Sequence, residues 1–148
     1  MCSTPRIAFA FSFTCLFAAI AGCGSGSLPP AAERLPGKWQ GQMIVYEDTV
    51  AGKLSPEQIA ALSQQQMGLE FAADGSMVTS AEVNGRATTS AGHWELVTQE
   101  GDLLTIKSTE QGGQSKDVNI EFDGADTFYI PLKTEVAELG AMRFTRMR

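Results

Sequence analysis

The feature that most constrains the fold is a period-two alternation of apolar and polar residues, which runs through most of residues 37–147. In the first stretch Trp39, Met43 and Val45 share one face, and in the next Leu69 and Phe71 flank Glu70. Such alternation is typical of half-buried strands. Turn residues separate the stretches at Asp74-Gly75, Asn84-Gly85, Gly101-Asp102, Gly112-Gly113 and Asp123-Gly124. The pattern predicts a mostly β fold: about eight short antiparallel strands in sequence order, closing as a meander barrel.

One segment departs from the alternation. Ser55 and Gln58 fit a capping box, and Pro56 stands at the first helical position. We therefore predict one short helix near residues 55–67, inserted between the first two strands and ended by Gly68. The helix could be a lid across one mouth of the barrel or a plain surface helix, and its narrow apolar side leaves both open.

The parity of the strands predicts which side chains point into the barrel. A barrel of eight strands is either filled by these side chains or holds one small ligand, and the pattern fits both. Seven of the larger side chains are candidate pocket-lining residues: Met43, Phe71, Met77, Trp94, Phe122, Phe128 and Phe144. The other residues predicted to face inward are Val45, Leu69, Leu96, Leu104, Ile106, Val118, Ile120, Ile130 and Met142.

The amino terminus has a composition that is typical of an export signal. A single positive side chain, Arg6, precedes an apolar run over residues 7–19, which is too short to span a bilayer. Residues 20–23, Ile-Ala-Gly-Cys, then resemble the lipobox of a bacterial lipoprotein. The resemblance implies that residues 1–22 are a signal peptide and that Cys23 is diacylated, so that its acyl chains, palmitate among them, anchor the protein in a membrane.

The same resemblance bears on location and on the stretch that follows. Gly24, rather than Asp, after the acylated cysteine implies the outer membrane rather than the inner one if the host is Gram-negative. Residues 23–36 are rich in Gly, Ser, Pro and Ala, which predicts a flexible tether. The barrel domain then covers residues 37–148.

Three residues of this domain resemble the lipocalin and calycin group: Gly37 and Trp39 at the start of the first strand, and Arg146 in the last. In small lipocalin-like domains the tryptophan closes the bottom of the barrel and the late arginine packs across its ring. The resemblance therefore implies that Gly37, Trp39 and Arg146 are structural residues of barrel closure. An arginine over a tryptophan face contributes about 0.5–2 kcal/mol.

Charge and composition argue against several classes of function. Residues 1–22 contain one basic and no acidic residue, so removing them takes the net charge from −6 to −7. An acidic chain without a Lys/Arg cluster is not expected to bind nucleic acid. The three cysteines, Cys2, Cys15 and Cys23, precede the domain, which must therefore fold by burial alone.

Enzymatic activity also finds little support in the sequence. His93, the one histidine, falls on the polar parity of its strand, and the aspartates at 74, 102, 123 and 126 lie in or beside turns. We therefore expect neither catalysis, nor a metal site, nor a cofactor. The sequence favours non-catalytic binding of a small hydrophobic molecule in the barrel. The alternative is a filled barrel that acts as a protein-interaction or inhibitor module, with residues 131–140 as the candidate surface.

Overall fold

The eight predicted strands form one closed antiparallel barrel in sequence order, which confirms the predicted fold class. In a computed structural model, residues 27–83, 85–133 and 138–148 are described; residues 1–26, Cys23 among them, Asn84 and residues 134–137 lie outside these ranges. The strands are β1 (Gly37–Val45), β2 (Gln66–Phe71), β3 (Ser76–Val83), β4 (Arg86–Glu100), β5 (Leu103–Glu110), β6 (Ser115–Phe122), β7 (Thr127–Lys133) and β8 (Glu138–Arg146).

The barrel closes between its first and last strands. Trp39 pairs with Arg146, and Met43 pairs with Met142. We call the end where β1 begins and β8 finishes the lower end, and the opposite end the upper end. Within the described residues, no helix has the length and apolar character needed to cross a membrane.

The predicted helix forms, but it is shorter than expected. It is α3 (Pro56–Ser63), and it follows the short α2 (Glu47–Val50) at the upper end. The capping box is present: the Ser55 hydroxyl accepts from the Gln58 backbone N–H, and the Gln58 side chain accepts from the Ser55 N–H. Gly68 does not end the helix as predicted, because β2 already begins at Gln66 and pairs Gly68 with Gln40.

The position of α3 lies between the two alternatives, a lid across one mouth of the barrel and a plain surface helix. Its half-buried Leu62 packs against the core, and none of its residues is fully buried. The helix thus covers the part of the upper end that lies beside β1.

The predicted tether is wrong in its last residues. A four-residue helix, α1 (Ala31–Arg34), packs beneath the lower end, and Ala31, Arg34 and Leu35 are buried. Residues 24–30 are rich in Gly, Ser and Pro, and α1 is too short to show a helical period. The sequence pattern therefore predicted one continuous linker up to residue 36. Residues 31–36 therefore belong to the folded domain.

The lower half of the barrel is filled by aromatic rings. The centroid of the Trp39 ring lies 4.6 Å from that of Phe128 and 6.0 Å from that of Phe122, and Phe144 stacks on Phe128 at 4.8 Å. Leu104 and Ile120 complete this layer without any exposed surface. Burial of these large side chains accounts for the stability of a chain whose barrel has no disulfide.

One predicted core residue is exposed. Leu96 has 45 % of its surface accessible, although its parity points inward. The reason is the length of β4, which continues past the start of β3: Ser76 already pairs with His93, and the β4–β5 register shifts between Leu96 and Thr98. Leu96 therefore lies beyond the wall that would have covered it.

Candidate functional site

The upper half of the barrel contains a cavity of about 530 Å³, within the range of small-molecule sites. Its floor is the upper surface of the aromatic layer, at Phe144, together with Phe71 and Ile106. Its walls carry apolar side chains mixed with a few small polar ones. The remaining lining residues are Met67, Leu69, Met77, Thr79, Ser90, Ala91, Ser108, Glu110, Lys116, Asp117, Val118, Asn119, Ile130, Pro131, Leu132, Lys133 and Met142.

The barrel is hollow in this half because its inward residues become smaller toward the upper end. Thr79 on β3 and Ser90 on β4 pair with each other and line the cavity with small side chains, whereas aromatic rings fill the lower half. Gly41 leaves no such space, because the ring of Phe144 occupies the position that a Cβ would take. The lower half of the barrel is therefore filled by side chains, and the upper half is hollow. The sequence left a filled barrel and a hollow one as alternatives, and each of them describes one half.

The cavity has a side opening between β6 and β7. These strands pair only at Glu121–Tyr129 and Phe122–Phe128 among the described residues, although both continue toward the upper end. The cavity is lined there by two unbroken stretches of chain, residues 116–119 and 130–133. Side chains of one face alone would line it at every second residue. The backbones of both strands therefore form the edges of an opening, which we call the β6–β7 gap.

Pro131 explains where the pairing stops. Asp123 N–H donates to the Thr127 carbonyl at 2.9 Å, so Thr127 directs its backbone groups toward β6. Backbone direction alternates along a strand, so Tyr129 and Pro131 also face β6. Proline has no N–H, and the ladder ends at Tyr129, one step before it.

The rim of the gap carries charges of both signs. Lys116 lies 3.8 Å from Glu110, and both side chains are more than half exposed, so their attraction is weak. Asp117 and Lys133 line the same opening. Among the described residues of the rim these four charges cancel, so this part of the rim attracts neither anions nor cations strongly.

A second cavity lies beneath the carboxyl end of α3. It also measures about 530 Å³ and is lined by Ala61, residues 64–66, Ala81 and Glu82. Met67 and Met142 line both cavities, so this hollow is a second route toward the barrel interior.

The structure divides the seven candidate pocket-lining residues. Phe71, Met77 and Phe144 line the cavity, and Met77 accepts a weak hydrogen bond from Ser108 Oγ at 3.9 Å. The other four lie elsewhere: Met43 is buried beside Met142, Trp94 is half-buried at the lower end, and Phe122 and Phe128 belong to the aromatic layer. Parity indicated which side chains point inward and could not show which half of the barrel is hollow.

The three residues assigned to barrel closure meet at the lower end. The Arg146 guanidinium lies 4.2 Å from the centroid of the Trp39 ring and donates to the Pro36 carbonyl at 3.0 Å. It also donates to the Arg34 carbonyl and pairs with Asp126 at 3.2 Å. Gly37 has φ +142°, and a Cβ there would collide with Arg146 Nη1. These contacts give the three residues a structural role at the lower end.

Sequence reasoning missed a second arginine at the lower end. Arg34 stacks on Phe122 at 4.6 Å, donates to the Gly124 carbonyl at 2.6 Å and pairs with Asp102. Its side chain is 6 % exposed. The only signal in the sequence was a basic residue in a stretch that otherwise reads as a linker.

The described residues contain no group of three or more His, Cys, Asp or Glu side chains that could hold a metal ion. His93 is exposed on β4. Asp74 is a turn residue: the Ser76 hydroxyl and N–H both donate to its carboxylate, at 2.7 and 2.9 Å. The bond from the Ser76 side chain is the main cause that lowers the pKa of Asp74. The hydrogen bonds within this turn thus account for both the position of the Asp74 carboxylate and its lowered pKa.

The chain matches no protein-family model, and no curated protein matches it. Among solved structures it is similar to a redesigned β-barrel, with 18 % identity and a TM-score of 0.49 over 83 % of this chain and 100 % of the other. It is also similar to a de novo designed fluorescence-activating β-barrel, with 11 % identity and a TM-score of 0.46 over 81 % of this chain and 100 % of the other. Any function therefore has to follow from the geometry of the cavity.

Proposed function

We propose that this protein is a lipid-anchored protein of the cell envelope that binds a small hydrophobic molecule in the upper half of its barrel, without catalysis. The observation that carries the proposal is the cavity of about 530 Å³ above a filled aromatic layer. A barrel selected only for stability would gain by filling this space, because burying its apolar lining would contribute about 25 cal/mol per Å².

The chemistry of the lining supports an apolar ligand. Leu69, Phe71, Ile106 and Ile130 offer dispersion contacts. Met67, Met77 and Met142 add flexible thioether side chains, which adjust to ligands of different shape. Ser108 and Thr79 are the small polar groups that such a site uses to orient a ligand.

The amino terminus supports the location. The lipobox at residues 20–23 implies acylation of Cys23, and residues 24–30 would connect that anchor to the folded domain. Two acyl chains hold a protein stably on a membrane. In the intact protein, Cys23→Ala is expected to release the domain from membranes into the soluble fraction. If the variant still sediments with membranes, the lipobox interpretation is wrong.

Native mass spectrometry tests the binding. The sample is the mature chain, residues 23–148, with Cys23→Ser, purified without detergent and checked for β structure by circular dichroism. We expect an additional mass that leaves on denaturation, or that appears after incubation with a lipid extract. A mass without ligand before and after that incubation would refute binding and favour the protein-interaction alternative.

Neighbouring residues on β3 provide a matched pair of variants. Thr79 faces the cavity, and Ser80 is exposed on the outer face of the same strand. Thr79→Trp should abolish the bound mass by filling the cavity, whereas Ser80→Trp should leave it unchanged. Loss of binding in both variants, or in neither, would place the ligand outside this cavity.

A further inference from the structure

We propose that the β6–β7 gap is the entrance of the cavity and the site of the ligand's polar head, and that the ligand is a single-chain amphiphile with an uncharged head group that both donates and accepts hydrogen bonds. This inference rests on the proposed function and adds the class of ligand and its route.

The first argument is the set of backbone groups that the gap leaves unpaired. Extending the register of Glu121–Tyr129 would place Asn119 opposite Pro131 and Asp117 opposite Lys133. Because backbone direction alternates, Asp117 and Asn119 direct their N–H and C=O groups into the gap. Pro131 contributes a C=O, and Lys133 contributes both groups. No strand among the described residues pairs with these groups, so a ligand head can bond to them without breaking the sheet.

The second argument is the balance of these groups. Both edges offer donors and acceptors, with Pro131 contributing a C=O alone, and among the described residues the charges of Glu110, Lys116, Asp117 and Lys133 cancel. A carboxylate head has acceptors only, so it would leave the C=O groups of the edges without a donor. A primary alkylammonium head has donors only, so it would leave the N–H groups of the edges without an acceptor. An amide or a hydroxyl-bearing ester satisfies both kinds of edge group.

The third argument is the continuity between the gap and the apolar interior. Val118 and Leu132 line the cavity just inside the two edges, and Met77 and Phe71 lie deeper. A chain that enters between the edges therefore places its tail on the aromatic layer while its head stays at the rim. The upper end offers a less suitable route, because α3 covers part of it with Leu62 packed on the core.

The ligand class is tested with four amphiphiles that share one saturated acyl or alkyl chain: a fatty amide, a monoacylglycerol, a fatty-acid carboxylate and a primary alkylammonium. Affinities come from displacement of a fluorescent probe below the critical micelle concentrations. We expect the amide and the monoacylglycerol to bind about tenfold more tightly than the two ions, as one additional satisfied pair of hydrogen bonds would give. Equal affinities, or tightest binding of either ion, would overturn the assignment of the head group.

The route is tested with single-cysteine variants of the mature chain, in which Cys23→Ser leaves no other thiol. Asn119→Cys places a thiol on the exposed edge of the gap, and Gln65→Cys places one on the exposed rim of the cavity beneath α3. Each variant is modified with the same bulky, reducible methanethiosulfonate reagent. We expect modification at residue 119 to slow dissociation of the monoacylglycerol about tenfold or more, with recovery on reduction, and modification at residue 65 to have no effect.

The opposite pattern, or equal rates in both variants, would overturn the proposed entrance while leaving ligand binding intact. If the unmodified protein binds no amphiphile at all, the proposed function itself fails. A further variant, Pro131→Val, restores an N–H on the edge of β7 and allows the β6–β7 ladder to continue. It should slow ligand exchange without modification, and faster or unchanged exchange would count against the gap.

Discussion

Replacement of Trp39 by alanine should destabilise the barrel by about 4 kcal/mol. Large-to-small substitution of a buried tryptophan typically costs about 3–5 kcal/mol. Trp39 is fully buried, and its indole N–H donates to the Leu35 carbonyl at 2.9 Å, so the variant also leaves that carbonyl unpaired. The guanidinium of Arg146 loses the ring beneath it, worth about 0.5–2 kcal/mol. These costs overlap, and the closed sheet prevents collapse around the space, which places the total in the upper part of the range.

Urea unfolding followed by far-ultraviolet circular dichroism measures this loss without relying on tryptophan fluorescence. The midpoint should fall while the slope stays unchanged. Trp94→Ala is the matched control: Trp94 is half-buried, with one edge contact to Phe71 at 5.8 Å and a 3.0 Å bond to the Ala72 carbonyl. It should cost about half as much. A loss below about 1 kcal/mol for Trp39→Ala, or a loss equal to that of the control, would refute the assignment of Trp39 to the closed lower end.

Three further predictions concern the lower end and one turn. Gly37→Ala should lower the free energy of unfolding by about 1–3 kcal/mol, because it strains a positive φ and displaces Arg146. Gly52→Ala is the control: Gly52 also has a positive φ but lies in open space, so this variant should cost less in the same urea titration. A larger loss for Gly52→Ala than for Gly37→Ala would contradict the contact with Arg146. Deletion of residues 23–30 should leave the thermal midpoint nearly unchanged. Deletion of residues 23–35 also removes the buried Ala31, Arg34 and Leu35 and should cost at least about 3 kcal/mol of unfolding free energy. Equal midpoints for the two deletions would show that residues 31–35 are part of a flexible tether after all. NMR titration should place the pKa of Asp74 below its ordinary value of 3.8, and Ser76→Ala should raise this pKa. Because folding lowers the pKa, any stabilisation from the carboxylate is present at neutral pH. It is lost as the pH falls through the pKa that Asp74 has in the folded protein.

The fold could be predicted from the sequence because two independent local signals agree in this chain. Alternating residues such as those around Leu69 and Phe71 fix which face of a strand is buried. Turn residues such as Asp74-Gly75 and Asp123-Gly124 fix where each strand reverses, and the glycines of both turns adopt positive φ. With each strand short and each connection tight, consecutive pairing and closure are the remaining arrangement that leaves no exposed edge.

The candidate site was harder to predict, because a cavity depends on the sum of side-chain volumes in a layer and not on any single residue. Phe144 and Met142 are neighbours on the inner face of β8, yet Phe144 stacks within the filled layer whereas Met142 lines both cavities of the upper half. Nothing in a period-two pattern assigns two inward residues to different heights. The buried end of the tether escaped prediction for a related reason: Ala31, Arg34 and Leu35 become a core element only through contact with a barrel formed by distant residues.

Pro131 shows how one residue can separate the stability of this barrel from its proposed activity. It interrupts the β6–β7 ladder at a point where all other neighbouring strands remain paired over five or more residues. The lost pairing lies above Phe128, so the aromatic layer, the arginine stacks on Trp39 and Phe122 and the closure of β1 with β8 are unaffected. An opening at the lower end would expose those rings to water, whereas an opening above them exposes only a cavity that already exists. Substitutions at the gap should therefore alter ligand exchange with little change in unfolding free energy, and substitutions at the lower end should do the reverse.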